Sequence, residues 1–324
     1  VSEQPYSSKW YFAMGLEPIH IGSGGKELGI VDSTVTRDPN TKIPKIPATS
    51  LAGACRSHTA IHYPEKFLRE KDDGTFASCA GKTGEEYTDH CGESDCPICL
   101  TYGFARDEKI GFQALAQFMD AQLLFFPVHS MAGPIWVTSV SNLKNLVADE
   151  ILTPEHFQVK IDENSNQIQT TVRKDKLNFG WILLEVASNN HPLTKDGKQI
   201  LIESGVPNDI IKRVALVSDR LFGHIVNNNM EIRTSVAIDP NIGAAKKGAL
   251  FNYEAIPRTA VFYFEVVYKD PKNFEVGGKR LDYDYKWVQK NVEQGMRSIE
   301  ALGLGGMTSR GMGKLRFLNL DTEK

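Results

Sequence analysis

The sequence predicts an α+β sandwich of the ferredoxin-like type. Two observations carry that reading: short apolar strand-like runs alternate with stretches of helical spacing, and two long polar interruptions break the series like insertions. A third is that the 324 residues show no repeat period and no low-complexity linker, so one elaborated domain, 1–324, is expected.

Residues 9–21 (KWYFAMGLEPIHI) mix alternation with aromatic and branched side chains and read as a strand, with a loop after Gly22. In IPATSLAGACRSHTAIH, Thr49 or Ser50 can cap a helix whose inner face carries Leu51, Ala54 and Cys55, and extends to His58 and Ile61. Residues 64–102 are charged, cysteine-rich and aperiodic, as an insertion would be. Two apolar strands follow at 120–128 and 133–140, then a helix over roughly 140–149. Residues 160–178 are polar and turn-rich, and GWILLEVA after them is a strand. PNDIIKRVALVSDRLFGHIV reads as one or two helices. EIRTSVAI (231–238) and TAVFYFEVVY (259–268) are strands around a polar excursion. YDYKWVQKNVEQGMRSIEAL has helical spacing, and KLRFLNL closes as a strand.

Hydrophobic residues make up 41% and charged residues 24%, enough apolar material for a sizeable core. The first nine residues are polar and no apolar run approaches membrane-spanning length, so a soluble cytoplasmic protein without a membrane partner is expected. Net charge is −3 and the pI is about 6.3, which excludes recognition of nucleic acid by bulk basicity. A local basic stripe and backbone N–H groups remain open to it.

Four of the five cysteines fall in Cys79-x11-Cys91-x4-Cys96-x2-Cys99, with a tight knuckle at the last pair. In a cytosolic chain clustered thiols favour a metal over disulfides, and a polar insertion without its own core needs a staple. Four soft ligands suit tetrahedral structural zinc, with His90 as a substitute ligand. The redox alternative for Cys-x-x-Cys wants a βαβ context that is missing here. Cys55, beside Leu51 on a helix face, is a core residue.

Gly22-Ser23-Gly24-Gly25 is neither a P-loop nor a dinucleotide fingerprint, because Lys26 precedes Glu27 and no helix begins on the glycines. A flexible strand exit is the plain alternative. GLGGMTSRGMGKLRF (303–317) places five glycines in eleven residues, interleaved with Arg310, Lys314 and Arg316. Glycine lets a backbone approach a ligand closely, and backbone N–H groups suit a repeating phosphate. A bulged connection would use the same residues.

HIGSGGKELGIVD followed by IPKIPATSLAGACRS resembles the N-terminal signature of the RAMP superfamily of CRISPR RNA-binding proteins, and the closing glycine-rich stretch resembles that family's loop. DAQLLFFPVHSMAGPIWVTS and IDPNIGAAKKGALFNYEAIP narrow the likeness to backbone subunits of type III-B effectors. The resemblance implies a modified RNA-recognition-motif core, with further copies of the chain and the other effector subunits lined up on a guide RNA. It also implies a thumb hairpin, for which 160–178, with Arg173, Lys174 and Lys176, is the candidate. A guide-directed endoribonuclease follows, cutting target RNA by metal-dependent (Mg or Mn) attack of the target's own 2′-hydroxyl. Asp32 matches the cutting aspartate, and His20 is a candidate proton carrier, set against a buried strand histidine. Expected RNA contacts are Gly22, Ser23, Gly24, Arg37, Lys42, Lys45, Ser50, Arg56, Lys246, Lys247, Gly305, Gly306, Arg310, Gly311 and Gly313. Ala52 stands where relatives carry lysine, and His129 where they carry arginine. A non-catalytic scaffold on the same guide is the rival reading. A processing ribonuclease is a third, and would need a general acid–base pair in one groove.

Overall fold

In a computed structural model the described residues are 4–24, 31–70, 74, 76–81, 90–105, 111–162 and 164–321. Lys26 and Glu27 fall outside them. In chain order the main elements are β1 (Tyr6–Gly15), α1 (Ala48–Ile61), α2 (Pro97–Tyr102), β2 (Ala116–Phe118), β3 (Gln122–Ser130) and β4 (Gly133–Ser139). Next come α3 (Val140–Ala148), β5 (Gln167–Thr170), β6 (Lys176–Phe179), β7 (Ile182–Ser188), α4 (Lys195–Glu203), β8 (Val214–Val217) and α5 (Asp219–Asn228). The chain continues through β9 (Glu231–Asp239), β10 (Ala244–Ala255), β11 (Val261–Lys269), α6 (Tyr285–Leu302) and β12 (Leu315–Phe317).

These elements sort into two compact units, each assembled from separated stretches of chain. One comprises residues 12–45 and 122–263. Its mixed sheet runs β6–β7–β5–β8–β4–β3 and reaches the start of β11, whose Val261 to Tyr263 pair antiparallel with β3. β8 is parallel to β4, in the register Val214 to Trp136 and Val217 to Ser139. All four residues of β8 are buried, as expected of a strand flanked on both sides and covered on both faces. Its four apolar residues sit between two helices, and periodicity cannot separate so short a run from a helical segment. The reading of residues 207–226 as helix alone is therefore corrected here.

The described residues of 160–178 lie within this sheet's strands and their connections. Ile168, Gln169, Thr170, Leu177 and Phe179 are buried there. The ribbon of the unit outside this sheet is β9–β10, paired antiparallel from Glu231–Ala255 to Asp239–Ala244 with a bulge between Val236 and Ile238. The polar excursion read after residue 238 is thus largely β10. Its alternation was masked by small residues and lysines.

The other unit comprises residues 1–11, 46–121 and 264–324. In it the later part of β11 pairs with β2 (Val266 to Phe118), and the core is closed by α1 against α6. Gly295 makes that crossing close: a Cβ there would stand 2.5 Å from Cys55 O and 2.6 Å from Thr59 Oγ1. α1 begins on Ala48 directly after Pro47, so Thr49 and Ser50 lie inside the helix and cap nothing. The cap comes from elsewhere in the unit, Asp120 Oδ1 accepting the Ala48 N–H at 2.7 Å. Tyr11, Tyr268 and Glu293 form a buried polar chain, with Tyr11 OH 2.7 Å from Tyr268 OH and 2.8 Å from Glu293 Oε1. Burial raises the phenol pKa values of both tyrosines. Among the described residues no helix is long and apolar enough to cross a membrane.

Candidate functional site

Asp32 lies on an exposed stretch held between two backbones. On one side, residues 21–23 run antiparallel to 34–36: Thr36 N–H donates to Ile21 O (2.8 Å) and Ser23 N–H to Thr34 O (3.2 Å). On the other, the stretch lies along β10. Asp32 N–H and Ser33 N–H donate to Asn252 O (3.0 and 3.3 Å), and Glu254 N–H donates to Ser33 O (3.0 Å). The carboxylate is anchored as well, Oδ2 accepting the Asn252 N–H at 2.7 Å. Asn252 therefore grips Asp32 by main chain and side chain together.

Next to this grip sits an ion pair whose carboxylate is buried and whose guanidinium is largely so. The Glu254 carboxylate receives Arg37 Nη1 on Oε2 (2.8 Å) and Arg37 Nη2 on Oε1 (2.5 Å), a two-pronged geometry, and Oε2 also accepts Val35 N–H (3.1 Å). Arg37 Nε goes to Asn227 Oδ1 (2.9 Å). The Arg37 fork is thus engaged inside the protein. His20 is 5% exposed, its Nδ1 2.6 Å from Glu254 O and its Nε2 3.3 Å from Ser33 Oγ, with its ring edge-on to Tyr253. Both ring nitrogens have partners, and the ring buttresses the stretch that carries Asp32.

Gly22, Ser23 and Gly24 are exposed, and Gly24 takes a left-handed φ of +80° with open space where a Cβ would stand. Lys42 is exposed, and Lys45 Nζ lies 4.0 Å from Asp38 Oδ2. The Asp38 carboxyl is held below its ordinary pKa, chiefly by the Thr41 backbone N–H. Lys246 is exposed on β10; the Lys247 side chain is outside the described set. The structure so gathers His20, Gly22, Ser23, Asp32 and Arg37 around residues 252–254. Asn252 and Glu254 were not singled out from the sequence, because no spacing rule links them to a loop 220 residues earlier.

In the other unit the glycine-rich stretch 303–313 closes on itself. Leu304 N–H donates to Gly313 O (2.9 Å), and a Cβ on buried Gly313 would lie 2.0 Å from Leu304 O. Gly305, Arg310 and Gly311 are exposed and Gly306 is half-buried. Arg316 pairs with Glu300 at 2.6 Å. His58 Nε2, on α1, lies 2.8 Å from Gly303 O, which fastens the loop to that helix. Ser50 is half-buried in the first turn of α1.

Cys79, Cys91, Cys96 and Cys99 are buried, with their four sulfurs all within 4.8 Å of one another. Sulfurs about 2.3 Å from a central ion at tetrahedral corners stand roughly 3.8 Å apart. Cys91 Sγ and Cys99 Sγ are 3.8 Å apart, and every cysteine is a free thiol. The cluster is thus a donor set that can hold a metal ion. Backbone N–H groups back it: Cys91 N–H reaches Cys79 Sγ and Cys99 N–H reaches Cys96 Sγ, each at 3.4 Å. Hydrogen bonding from the neighbouring thiols, Cys91 first, pulls the Cys79 pKa down. Cys55 is fully buried and stands apart from the cluster, its thiol pKa raised by burial. Arg56 Nε donates to Cys79 O (2.8 Å) and Nη1 to Gly103 O (2.8 Å), and Nη2 lies 3.1 Å from His90 Nδ1.

The geometry is that of a mixed α+β chain with an anchored, exposed aspartate, and a family model, that of the RAMP superfamily, matches it. That model matches residues 14–316, and the chain belongs to the RAMP superfamily. Over 261 residues it is 28% identical to the CRISPR system Cmr endoribonuclease Cmr4 of Pyrococcus furiosus, covering 76% of this chain and 77% of that protein. A 49-residue stretch, 14% of this chain and 23% of the other, is 45% identical to the Cms endoribonuclease Csm3 of Enterococcus italicus. Among solved structures, a chain of the type III-B Cmr-beta complex bound to cognate target RNA matches with a TM-score of 0.65 at 17% identity, covering 97% of this chain and 99% of that one. Oligomeric Cmr4 from Pyrococcus furiosus matches at 0.56 and 19% identity, covering 97% and 100%.

Proposed function

We propose that this chain is a backbone subunit of a type III-B CRISPR effector. In that reading, copies of it line up along a guide RNA in the cytoplasm with the other effector subunits, and each cuts the paired target RNA. The observation that carries the reading is the seat of Asp32: an exposed carboxylate fixed by Asn252 beside a glycine loop. Cutting by the target's own 2′-hydroxyl demands that the hydroxyl and the scissile phosphate be held in line. A fixed carboxylate can take the hydroxyl proton or hold a divalent cation, Mg or Mn, that neutralises the phosphate. Gly22, Ser23 and Gly24 offer a backbone that a strand can approach, and Asp32 stands at its edge. His20, with both nitrogens engaged, holds the stretch in place.

The core is read as a modified RNA-recognition motif in one elaborated domain. The ribbon β9–β10 is the better candidate for the thumb than 160–178, since it stands apart from the sheet and exposes Ile232, Val236, Ile238, Ile242 and Leu250. Lys42, Lys246, Lys247, Gly305, Gly306, Arg310 and Gly311 are then the guide contacts. Zinc in the four-cysteine site gives the 64–102 insertion the staple that its own small core does not supply.

Mapping the cuts that the assembled complex makes in labelled target RNA tests the proposal. Evenly spaced cuts that vanish on chelation, or with 2′-deoxy at the scissile position, support it. Target binding with no cutting would leave the scaffold reading.

A further inference from the structure

We propose that Arg56 is the counter-ion of the four-cysteine metal site and not a ligand for guide phosphate. The inference rests on the zinc reading above. Its guanidinium offers five N–H donors in a rigid fork, and three arms already meet the cysteine insertion. Nε meets Cys79 O, one of the ligand residues; Nη2 meets His90, next to Cys91 in the chain; Nη1 meets Gly103 O, the residue that directly follows the insertion and α2. Those partners run from Cys79, the first of the four cysteines, to Gly103, four residues past the last. Arg56 itself stands on α1, outside it.

Electrostatics supplies the reason for a cation there. Four thiolates around a divalent ion leave a doubly negative cluster, buried here and therefore poorly screened. A guanidinium that is always charged and less tightly hydrated than an ammonium is the side chain suited to that position. Groups outside the ligand sphere tune a metal's affinity, commonly by ten- to a hundred-fold. Arg56 also joins the insertion to α1, and α1 meets the glycine-rich loop through His58 and Gly303 O.

The experiment uses the full chain, zinc-loaded, as wild type, Arg56→Met and Arg56→Lys. Zinc content is measured by elemental analysis, zinc transfer to a colorimetric chelator by its rate, and guide binding across a salt series. The expected result is transfer at least about ten-fold faster for Arg56→Met, a smaller increase for Arg56→Lys, and an unchanged salt slope for zinc-loaded protein. Wild-type transfer rates in both variants, with a salt slope reduced by about one phosphate, would overturn the proposal and make Arg56 an RNA contact. A wild-type protein without zinc overturns the metal reading, and this inference with it. A zinc-loaded wild type with unaltered transfer in the variants overturns this inference alone. Should Arg56→Met fail to fold, Arg56→Lys decides the matter by the same rate measurement.

Discussion

Asp32 and Asn252 exchange hydrogen bonds in both directions, Asp32 N–H to Asn252 O at 3.0 Å and Asn252 N–H to Asp32 Oδ2 at 2.7 Å. Because the second bond uses only one carboxylate oxygen and a backbone donor, Asp32→Asn can keep it through its amide oxygen. The variant should retain fold, guide and target affinity, while target cleavage falls by about 10² or more. Cleavage and affinity measured in the same assembled complex check this. Near-normal cleavage removes Asp32 from the chemistry, and lost affinity makes it structural.

Glu254 and Arg37 should behave as a unit. Glu254→Ala strands a largely buried guanidinium, at a cost of about 3–5 kcal/mol. Replacing both by Met should cost less than that single change, because no unpaired charge remains. Denaturant unfolding of both singles and the double reads the coupling; additive effects would show that the pair is not cooperative.

His191 gives acid sensitivity with a definite sign. Its Nδ1 accepts Leu193 N–H at 2.9 Å and its Nε2 donates to Ile211 O at 2.7 Å, so the neutral ring is the form that fits. Burial, the largest cause, lowers its folded pKa below the ordinary 6.5. The unfolded chain then takes up a proton that the folded one refuses. This contribution is complete above about pH 6.5 and is lost as pH falls through the folded pKa. His191→Gln should flatten the stability profile between about pH 7 and 5, as followed by thermal unfolding. A profile as steep as that of the wild type would assign the acid sensitivity to other groups.

Cys79→Ser, Cys91→Ser, Cys96→Ser and Cys99→Ser should each reduce bound zinc, whereas Cys55→Ser should leave it unchanged. Elemental analysis of purified protein decides. Full zinc in Cys96→Ser would end the four-thiolate assignment.

Replacing Lys246 and Lys247 together by Ala should weaken guide binding and lower the salt slope by about two phosphate contacts. Titrations at several salt concentrations give the slope directly. An unaltered slope places the start of β10 away from the guide.

What the sequence disclosed followed locality. β3 and β4 were read from their own apolar runs, which are buried almost end to end, and α6 from its helical spacing, which buries one stripe of its own residues. β8 and β10 were missed for opposite reasons: one is too short to show a period, and the other is an exposed ribbon with little apolar stripe to reveal. Asp32 and the cysteine quartet were visible as short-range patterns. Asn252, Glu254 and the engagement of Arg37 were not, since pairing across more than two hundred residues leaves no mark in either stretch. Arg56 likewise read as one more contact for guide phosphate, and only its three partners reveal where it points.

Thr59 Oγ1 on α1 donates to Asn291 O on α6, 232 residues further along the chain. On the ribosome, at about 5–20 residues per second, that separation means α1 waits roughly ten to fifty seconds for the helix that covers it. Leu51, Cys55 and Ala60 lack the cover of α6 throughout, while the segment 122–263 can already collapse. Synthesis therefore imposes an order on the two units, and the nascent chain passes through a stage in which an uncovered helix is open to chaperones and to mispairing.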